Sequence, residues 1–179
     1  MRKVTYGAAV SLDFYLAGED EAIDWLRWTR DSAAISKASW AGVDTILMGR
    51  KTYEFAARQG GGPGGTSKMR TLIFSRTMAA APDGAELVRQ DAAEFVRALK
   101  QRDGGGIIVL GGGELGSALI EAGVVDEIGL NVHPILLGSG IPVFRPMARR
   151  VGLRLREARA IAEDCVFLSY AVDLANQAS

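Results

Sequence analysis

Apolar residues along this chain cluster into short runs, and segments with helical spacing separate most of them. The runs at residues 4–10, 43–47, 70–75, 107–110 and 127–132 have the length of strands, and most are rich in β-branched residues. Helical spacing predicts helices over residues 20 to about 37, over 51–58, after the capping-box sequence of residues 91–94, and from about 115 to 122. Strands that alternate with helices indicate an α/β fold with a mixed, mainly parallel sheet flanked by helices.

The last part of the chain has a different pattern. Residues 151–161 and 165–173 predict two strands joined by a short polar turn near Glu163 and Asp164, which gives an antiparallel C-terminal hairpin. The glycine-rich segment 59–66 follows a predicted helix and contains Pro63, so we interpret it as a mobile connection rather than a phosphate cradle. Nothing in the pattern indicates a second domain, and residues 1–179 are predicted to form one domain.

Composition and charge exclude several classes of function. Lys and Arg together number 21, as do Asp and Glu, so the formal net charge is zero and no basic excess favours nucleic acid binding. A local basic patch is the alternative, formed by Arg145, Arg149, Arg150, Arg154 and Arg156. The sequence has no stretch long enough to span a membrane and no signal-peptide core, so a cytoplasmic location is expected.

The cysteine and histidine content limits disulfide and metal chemistry. Cys165 is the only cysteine and His133 the only histidine, so an intramolecular disulfide cannot form and no zinc site is expected. Because Cys165 lies in an apolar run, we predict a buried and unreactive thiol.

Two predicted strands end at glycine and lead into helices. Gly49 follows the first of these strands, and Gly111, Gly112 and Gly113 follow the second. Such a corner presents free backbone N–H groups and the positive end of a helix dipole, which attract phosphate. Glycine also lets a pyrophosphate approach the backbone closely, because it has no Cβ. The spacing of Gly111, Gly113 and Gly116 matches a dinucleotide fingerprint, but its position late in the chain argues against a Rossmann fold.

Polar side chains near these corners suit a phosphorylated coenzyme. Arg50 can hold a phosphate with its forked guanidinium group, and Thr52 can donate a hydroxyl. Ser75, Arg76 and Thr77 follow a predicted strand, and this set suits a phosphate monoester such as the 2′-phosphate of NADPH. Taken singly, each segment could equally be a helix start or a polar turn. Together they predict a ligand with several phosphates.

These segments occur in the order that is typical of one superfamily. The matching stretches are Ser11-Leu12-Asp13 with Ala17-Gly18, Met48-Gly49-Arg50-Lys51-Thr52-Tyr53, Ser75-Arg76, Gly111-Gly112-Gly113 and the run from Asn131 to Phe144. Over residues 3 to 173 the chain resembles the dihydrofolate reductase superfamily, and more closely its branch with the C-terminal reductase domain of the riboflavin-biosynthesis deaminase–reductase. It departs from the pattern at Phe14, where the riboflavin branch usually has glycine, and at Gly116, where folate reductases usually have an aromatic residue.

The resemblance implies a dihydrofolate reductase-like fold, an NADPH cleft across the strand ends and a homodimer. The residues expected to receive phosphates are Gly49, Arg50, Lys51 and Thr52, and those expected at the adenosine 2′-phosphate are Ser75 and Arg76. The residues expected along the pyrophosphate and nicotinamide are Gly111, Gly112, Gly113, Glu114 and Leu115. Those expected near the nicotinamide ribose and ring are Ala9, Leu16 and Gly18.

Reduction by hydride transfer also requires a source of a proton. Folate reductases use a carboxylate on the first helix, and the resemblance makes Asp31 the first candidate, with Asp13 and Asp24 as alternatives. Each of these acids could instead cap a helix or lie on the surface. Asn131 could hydrogen-bond a polar substrate edge, and His133 is predicted to shape a turn rather than to act as a general acid.

The leading hypothesis is an NADPH-dependent reductase of a small heterocyclic or carbonyl compound, either pterin-like or pyrimidine-like. One alternative is a non-catalytic NADP(H)-binding sensor or scaffold protein. Another is the 5-amino-6-(5-phosphoribosylamino)uracil reductase of riboflavin biosynthesis, which differs from the first hypothesis only in its substrate.

Overall fold

The computed structural model is built around one eight-stranded sheet, and it describes residues 1–27, 30–31, 40–60 and 69–173. The strands are β1 (Val4–Ser11), β2 (Tyr15–Ala17), β3 (Val43–Gly49), β4 (Arg70–Phe74), β5 (Ala85–Val88), β6 (Gly106–Leu110), β7 (Glu127–His133), β8 (Ile141–Pro142), β9 (Gly152–Ala160) and β10 (Val166–Asp173). The helices described from end to end are α1 (Arg50–Arg58), α2 (Ala92–Lys100) and α3 (Gly113–Glu121).

The main sheet has the strand order β5-β4-β3-β6-β1-β7-β10-β9, and β2 pairs with β8 outside it. Neighbouring strands from β5 to β7 in this order are parallel, whereas β10 is antiparallel to both β7 and β9. The fold is therefore the mixed, mainly parallel α/β arrangement that the sequence predicts. No helix among the described residues is long and apolar enough to cross a membrane.

The central strands are buried on both faces. Alternate residues of these strands belong to two separate apolar clusters: Leu47 and Leu72 belong to one, and Ile46 and Ile73 to the other. Because successive side chains of a strand point to opposite faces, the two clusters lie on opposite sides of the sheet. Burial on both faces explains why these strands appear as continuous apolar runs in the sequence.

The predicted helix from residue 20 to about 37 is wrong over residues 20–27, which have no regular helix. The carboxylate of Asp20 accepts a hydrogen bond from the amide of Ala22 at 3.0 Å, and Glu21 has a left-handed φ of 65°. Both features prevent a right-handed helix from forming there. Residues 28–29 and 32–39 lie outside the described residues, as do residues 61–66 of the predicted mobile connection.

Three short strands are absent from the sequence prediction. β5 is a four-residue edge strand next to β4, and β2 and β8 have three and two residues. Such short pairings depend on contacts between distant parts of the chain. For this reason hydrophobic periodicity does not reveal them.

The C-terminal hairpin is confirmed. Glu163 and Asp164 have φ values of 60° and 58°, which is the conformation of a tight two-residue turn between twisted strands. Cys165 is buried beside this turn, and burial raises the pKa of its thiol, as expected for an unreactive cysteine. β9 is the edge strand at the end of the sheet opposite β5, and most of its residues are exposed. The homodimer expected from the resemblance stays a prediction.

Candidate functional site

A crevice opens at the carboxyl ends of the central parallel strands. In register, Phe74 of β4 pairs with Gly49 of β3, Met48 pairs with Leu110 of β6, and Leu110 pairs with Gly7 of β1. Beyond Gly7, β1 continues alongside β7 and no longer pairs with β6. Ligands of open α/β sheets bind where neighbouring strands part in this way. A cavity of about 640 Å³ lies at this point.

Two helices begin at this cavity without a side-chain cap. α1 follows Gly49 and α3 follows Gly112, and within the described part of the chain neither helix start has a side-chain cap. In contrast, α2 begins outside the cavity lining, and its Asp91 carboxylate accepts from the Glu94 amide at 3.0 Å. The first N–H groups of α1 and α3 therefore remain available to an anion, and the two helix dipoles favour negative charge there.

The two glycine corners contact each other. The side chain of Thr52, in the first turn of α1, packs against Gly111, which has a left-handed φ of 66°. Gly112 also has a positive φ, of 21°. The predicted convergence of the two corners on one cavity is therefore present in the structure.

Charged side chains of both signs border the cavity. Arg145 lies 3.5 Å from Glu114, and Arg50 lies 3.8 Å from Glu54 within α1. Among the described residues, Lys51 forms no ion pair. Its ammonium group is thus a positive charge next to the N-terminus of α1 that remains available for a ligand.

Most of the residues predicted to bind coenzyme line this cavity. They are Ala9, Leu16, Gly49, Arg50, Lys51, Thr52, Ser75, Gly111, Gly112, Gly113, Glu114 and Leu115. Gly18 and Arg76 are not part of the lining, but each directly follows a residue that is, Ala17 and Ser75 respectively. Arg76 is exposed, so its side chain is free to reach a ligand at the edge of the cavity.

Asp13 fastens two loops together instead of lining the cavity. Its carboxylate accepts hydrogen bonds from the hydroxyl of Ser11 at 2.6 Å and from the amides of Leu137 and Gly138, the latter at 2.8 Å. The hydrogen bond from Ser11, followed by the two amides, lowers the pKa of Asp13 below its usual value. Its role as a proton donor stays a prediction, and these contacts favour a structural role.

Asp31 lies at a different place from the cavity lining. It is exposed, and its carboxylate accepts a hydrogen bond at 3.0 Å from the amide of Ala162, beside the C-terminal hairpin turn. Asp24 is also exposed and outside the lining. The structure therefore does not bring the three candidate acids together.

Three side chains with buried polar atoms, those of Trp25, Asn131 and His133, lie beside the cavity wall and are called here the buried polar group. Asn131 pairs in the sheet with Ala9, which lines the cavity. Trp25 is close in sequence to two further lining residues, Ile23 and Leu26. The indole nitrogen of Trp25 and the amide oxygen of Asn131 are both buried without a hydrogen-bond partner in the described chain. An unsatisfied buried polar atom costs about 1–3 kcal/mol, so both atoms have unused capacity for a ligand.

His133 is the centre of this group. Its ring lies edge-on to Trp25 at a centroid distance of 5.4 Å, Nε2 is 3.3 Å from Asn131 Nδ2, and Nδ1 is 3.5 Å from Cys165 Sγ. Only 2% of His133 is exposed. Burial, followed by the positive charge of Arg27, lowers the pKa of His133, so the ring is neutral at pH 7. Such a ring is a packing and hydrogen-bonding element of the core.

The sequence matches the RibD C-terminal domain family over residues 2–167. The chain belongs to this family. It is similar to the uncharacterized protein YwjB of Bacillus subtilis (strain 168), with 30% identity over 174 residues that cover 90% of this chain and 94% of YwjB.

Solved structures with the same fold include that of a protein from Shewanella sp. PV-4, which was assigned by name to riboflavin biosynthesis. That structure has a TM-score of 0.84 at 20% identity and covers 96% of this chain and 99% of its own. Enterococcus faecalis dihydrofolate reductase, solved in complex with NADP(H), has a TM-score of 0.70 at 14% identity and covers 96% of each chain. The RibD C-terminal domain described here therefore has a dihydrofolate reductase-like fold.

The structure accounts for both positions at which this RibD C-terminal domain departs from the expected pattern. Phe14 has a left-handed φ of 62°, a conformation that glycine adopts without strain. At Gly116, a Cβ would lie 2.5 Å from Cε2 of Tyr6, whose ring fills the adjacent space. Tyr6 is fully buried and its hydroxyl donates to the carbonyl of Val143 at 3.2 Å, so the ring cannot easily move away.

Other residues that line the cavity of this RibD C-terminal domain are not among those that the sequence predicts to bind coenzyme or substrate. They are Gly7, Ala8, Ala17, Glu21, Ile23, Leu26, Phe55, Phe74, Ile141 and Arg145. Phe55 could have been found, because it lies three residues after Thr52 and so on the same side of α1. Ile141 and Arg145 come from a distant part of the chain, and their approach to the crevice depends on the tertiary fold.

Proposed function

We propose that this protein is an NADPH-dependent reductase of a small heterocyclic or carbonyl compound. The observation that supports this proposal best is that two uncapped helix N-termini, of α1 and α3, meet at one cavity of about 640 Å³. A dinucleotide carries several phosphates, and each uncapped helix start suits one of them. Membership of the RibD C-terminal domain family agrees with this class of reaction.

The residues at the cavity fit the parts of NADPH. Gly111 and Gly112 give the pyrophosphate close access to backbone amides, and Lys51 supplies an unpaired positive charge. Ser75 and Arg76 are proposed to bind the 2′-phosphate. When bound, NADPH supplies a hydride from its nicotinamide ring. The small and apolar side chains of Ala9 and Leu16 are proposed to keep water away from that ring.

The substrate is proposed to bind between the nicotinamide region and the buried polar group. Trp25 and Asn131 each retain a buried polar atom without a partner, which suits the polar edge of a heterocycle such as a pterin or a pyrimidine. Asp13, Asp24 and Asp31 do not line the cavity, and the two glutamates that do, Glu21 and Glu114, form ion pairs with arginines. We therefore propose that a water molecule delivers the proton.

A non-catalytic NADP(H)-binding protein is the second candidate. The exclusion of Asp13, Asp24 and Asp31 from the cavity lining favours this alternative, because it leaves the reaction without any of the predicted acids. The two candidates differ in turnover and not in binding.

A thermal-shift titration followed by a turnover assay tests the proposal. NADPH at about 100 times its Kd should raise the free energy of unfolding by about 2.7 kcal/mol, which for a domain of this size is about 5–11 °C in Tm. The near-ultraviolet absorbance of NADPH should then decrease with at least one member of a panel of pterins, pyrimidines, 5-amino-6-(5-phosphoribosylamino)uracil and carbonyl compounds. Failure of NADPH to change Tm contradicts the proposal. Binding without oxidation by any compound favours the non-catalytic candidate.

A further inference from the structure

The loop after β4 is held by an arginine to which neither the sequence nor the proposed function assigns a role. This loop, residues 75–79, begins where β4 ends, and Arg89 follows β5, the neighbouring parallel strand. Phe74 and Val88 are in register, and the amide of Ser75 donates to the carbonyl of Val88 at 3.1 Å. Ser75 and Arg89 therefore leave the sheet side by side.

The side chain of Arg89 binds backbone carbonyl groups of the 75–79 loop. Its Nη1 donates to the carbonyl oxygen of Arg76 at 3.2 Å, and its Nη2 donates to the carbonyl oxygens of Met78 and Ala79 at 2.7 and 3.0 Å. A planar guanidinium group with its five N–H donors can span three acceptors in this way. A lysine ammonium group lacks this fixed fork and cannot reproduce the arrangement.

The side chain of Ser75 binds backbone amides of the same loop. Its hydroxyl oxygen accepts hydrogen bonds from the amides of Thr77 at 3.2 Å and Met78 at 3.0 Å. A serine hydroxyl has two acceptor sites and one donor, so its hydrogen remains free to donate to a ligand oxygen. Since Ser75 lines the cavity, the 75–79 loop borders the coenzyme site.

Both arginines of this region keep their positive charge available. Neither Arg76 nor Arg89 forms an ion pair within the described part of the chain, and the partners of Arg89 are neutral carbonyl groups. Two guanidinium groups, one on this loop and one bonded to it, create a positive potential at the edge of the cavity. This potential favours a phosphate dianion over a neutral hydroxyl at the same place.

We propose that Arg89 is a positioning residue for the 2′-phosphate site. It holds the backbone of residues 76–79 so that the Arg76 guanidinium and the Ser75 hydroxyl stay together beside the cavity. This inference rests on the proposed NADPH-dependent function and adds to it a residue that acts through the loop. Arg89 therefore contributes to the preference for NADPH over NADH without contacting the phosphate.

Calorimetric titration of NADPH and NADH into single and double variants tests the role of Arg89. Arg89→Ala should raise the Kd for NADPH about tenfold, which corresponds to a lost interaction of about 1.4 kcal/mol, and leave the Kd for NADH within about twofold. Arg89→Lys should recover only part of the NADPH affinity. In an Arg76→Ala background, Arg89→Ala should raise the Kd for NADPH clearly less than it does in the wild type, because most of its effect passes through Arg76.

Arg97→Ala is the matched control. Arg97 is also exposed and donates to a backbone carbonyl, that of Ala122 at 3.0 Å, but it does not line the cavity. This variant should bind both coenzymes like the wild type.

The outcomes separate the inference from the proposed function. A wild-type protein that does not prefer NADPH overturns both. A preference that Arg76→Ala removes and Arg89→Ala retains overturns only the role of Arg89. Independent, additive losses from the two substitutions would show that Arg89 binds the phosphate directly, and they too would overturn the positioning role.

Discussion

The side chain of Thr52 occupies the space that a Cβ on Gly111 would need. A Cβ built on Gly111 would lie 2.6 Å from Thr52 Oγ1. Gly111 also has a φ of 66°, which other residues adopt only with strain. This contact joins the corner after β3 to the corner after β6, and it brings two helix N-termini to one cavity. The glycine is therefore needed for its conformation and for its lack of a side chain.

Gly111→Ala should lower the free energy of unfolding by about 2–4 kcal/mol, the sum of left-handed strain and a steric clash. It should also weaken NADPH binding, because the two corners must separate. Urea denaturation and coenzyme titration measure these two effects. In the Gly111→Ala/Thr52→Ala double variant, loss of the Thr52 Oγ1 and Cγ2 atoms should recover about 1 kcal/mol. Purely additive destabilisation would contradict the contact.

Gly49→Ala should separate coenzyme binding from stability. Gly49 has φ −79° and ψ 162°, which any residue adopts, and a Cβ there would have no heavy atom within 4 Å. We expect the free energy of unfolding to decrease by only about 0.5–1 kcal/mol, because alanine is a poorer N-cap than glycine. The Kd for NADPH should increase about tenfold, because the methyl group would occupy the approach of a phosphate to α1.

Gly129→Ala is the control for that experiment. A Cβ on Gly129 would make only ordinary contact with the ring of Phe167, at 3.7 Å, and Gly129 does not line the cavity. This variant should be close to the wild type in both stability and NADPH affinity. A Gly49→Ala protein with unchanged NADPH affinity would argue against phosphate binding at α1.

Much of the fold could be predicted because its local signals agree. β3 ends at a glycine and β6 is followed by one, and both strands are rich in β-branched residues. α2 begins at an N-cap in which the Asp91 carboxylate accepts from the amide of Glu94, as its sequence predicts. Residues 20–27 show the opposite case. Ile23 and Leu26 have helical spacing, but both line the cavity. The turn at Asp20 and Glu21 prevents a helix from beginning there. Apolar residues at this spacing can form the buried face of a helix or line a cavity, and the sequence does not distinguish these two structures.

Stability should decrease as the pH falls from about 7 to 5, because of His133. Burial lowers the pKa of His133 in the folded state, whereas the unfolded state keeps a value near 6.5. Below that value the unfolded state binds more protons than the folded state, and so the free energy of unfolding decreases as the pH falls. The slope attributable to one group is at most about 1.4 kcal/mol per pH unit.

Urea denaturation at several pH values measures this effect, and His133→Gln identifies its source. His133 is the only histidine, so removing it should flatten the dependence between pH 7 and 5. If the slope is the same in the wild type and the variant, His133 is not responsible for it.

Phe14→Gly should be more stable than Phe14→Ala, by up to about 1.6 kcal/mol. Both variants lose the phenyl ring, but only glycine releases the left-handed strain at φ 62°, which contributes about 1–2 kcal/mol, and the greater flexibility of glycine in the unfolded chain offsets about 0.4–1 kcal/mol. Because only 44% of Phe14 is exposed, both variants lose apolar contacts and should be less stable than the wild type. Differential scanning calorimetry of Phe14→Gly and Phe14→Ala tests the comparison. A Phe14→Gly protein that is less stable than Phe14→Ala would contradict the strain argument.

The candidate site was predictable where it depends on backbone chemistry. Glycine after a strand and before a helix indicates an anion site, and both such corners line the cavity. Proton donors are harder to predict, because a carboxylate such as Asp13 can serve catalysis or hold a loop. Only its three hydrogen-bond donors, Ser11, Leu137 and Gly138, distinguish the two uses. Arg89 has no sequence signal, since its partners are backbone carbonyl groups.

A crystal structure of the protein with NADPH is the decisive measurement of coenzyme binding. We predict that the pyrophosphate lies between the N-termini of α1 and α3, next to Gly49 and Gly111, and that the 2′-phosphate contacts Ser75 and Arg76. Coenzyme bound elsewhere on the molecule, or no coenzyme bound at saturating concentration, would contradict it.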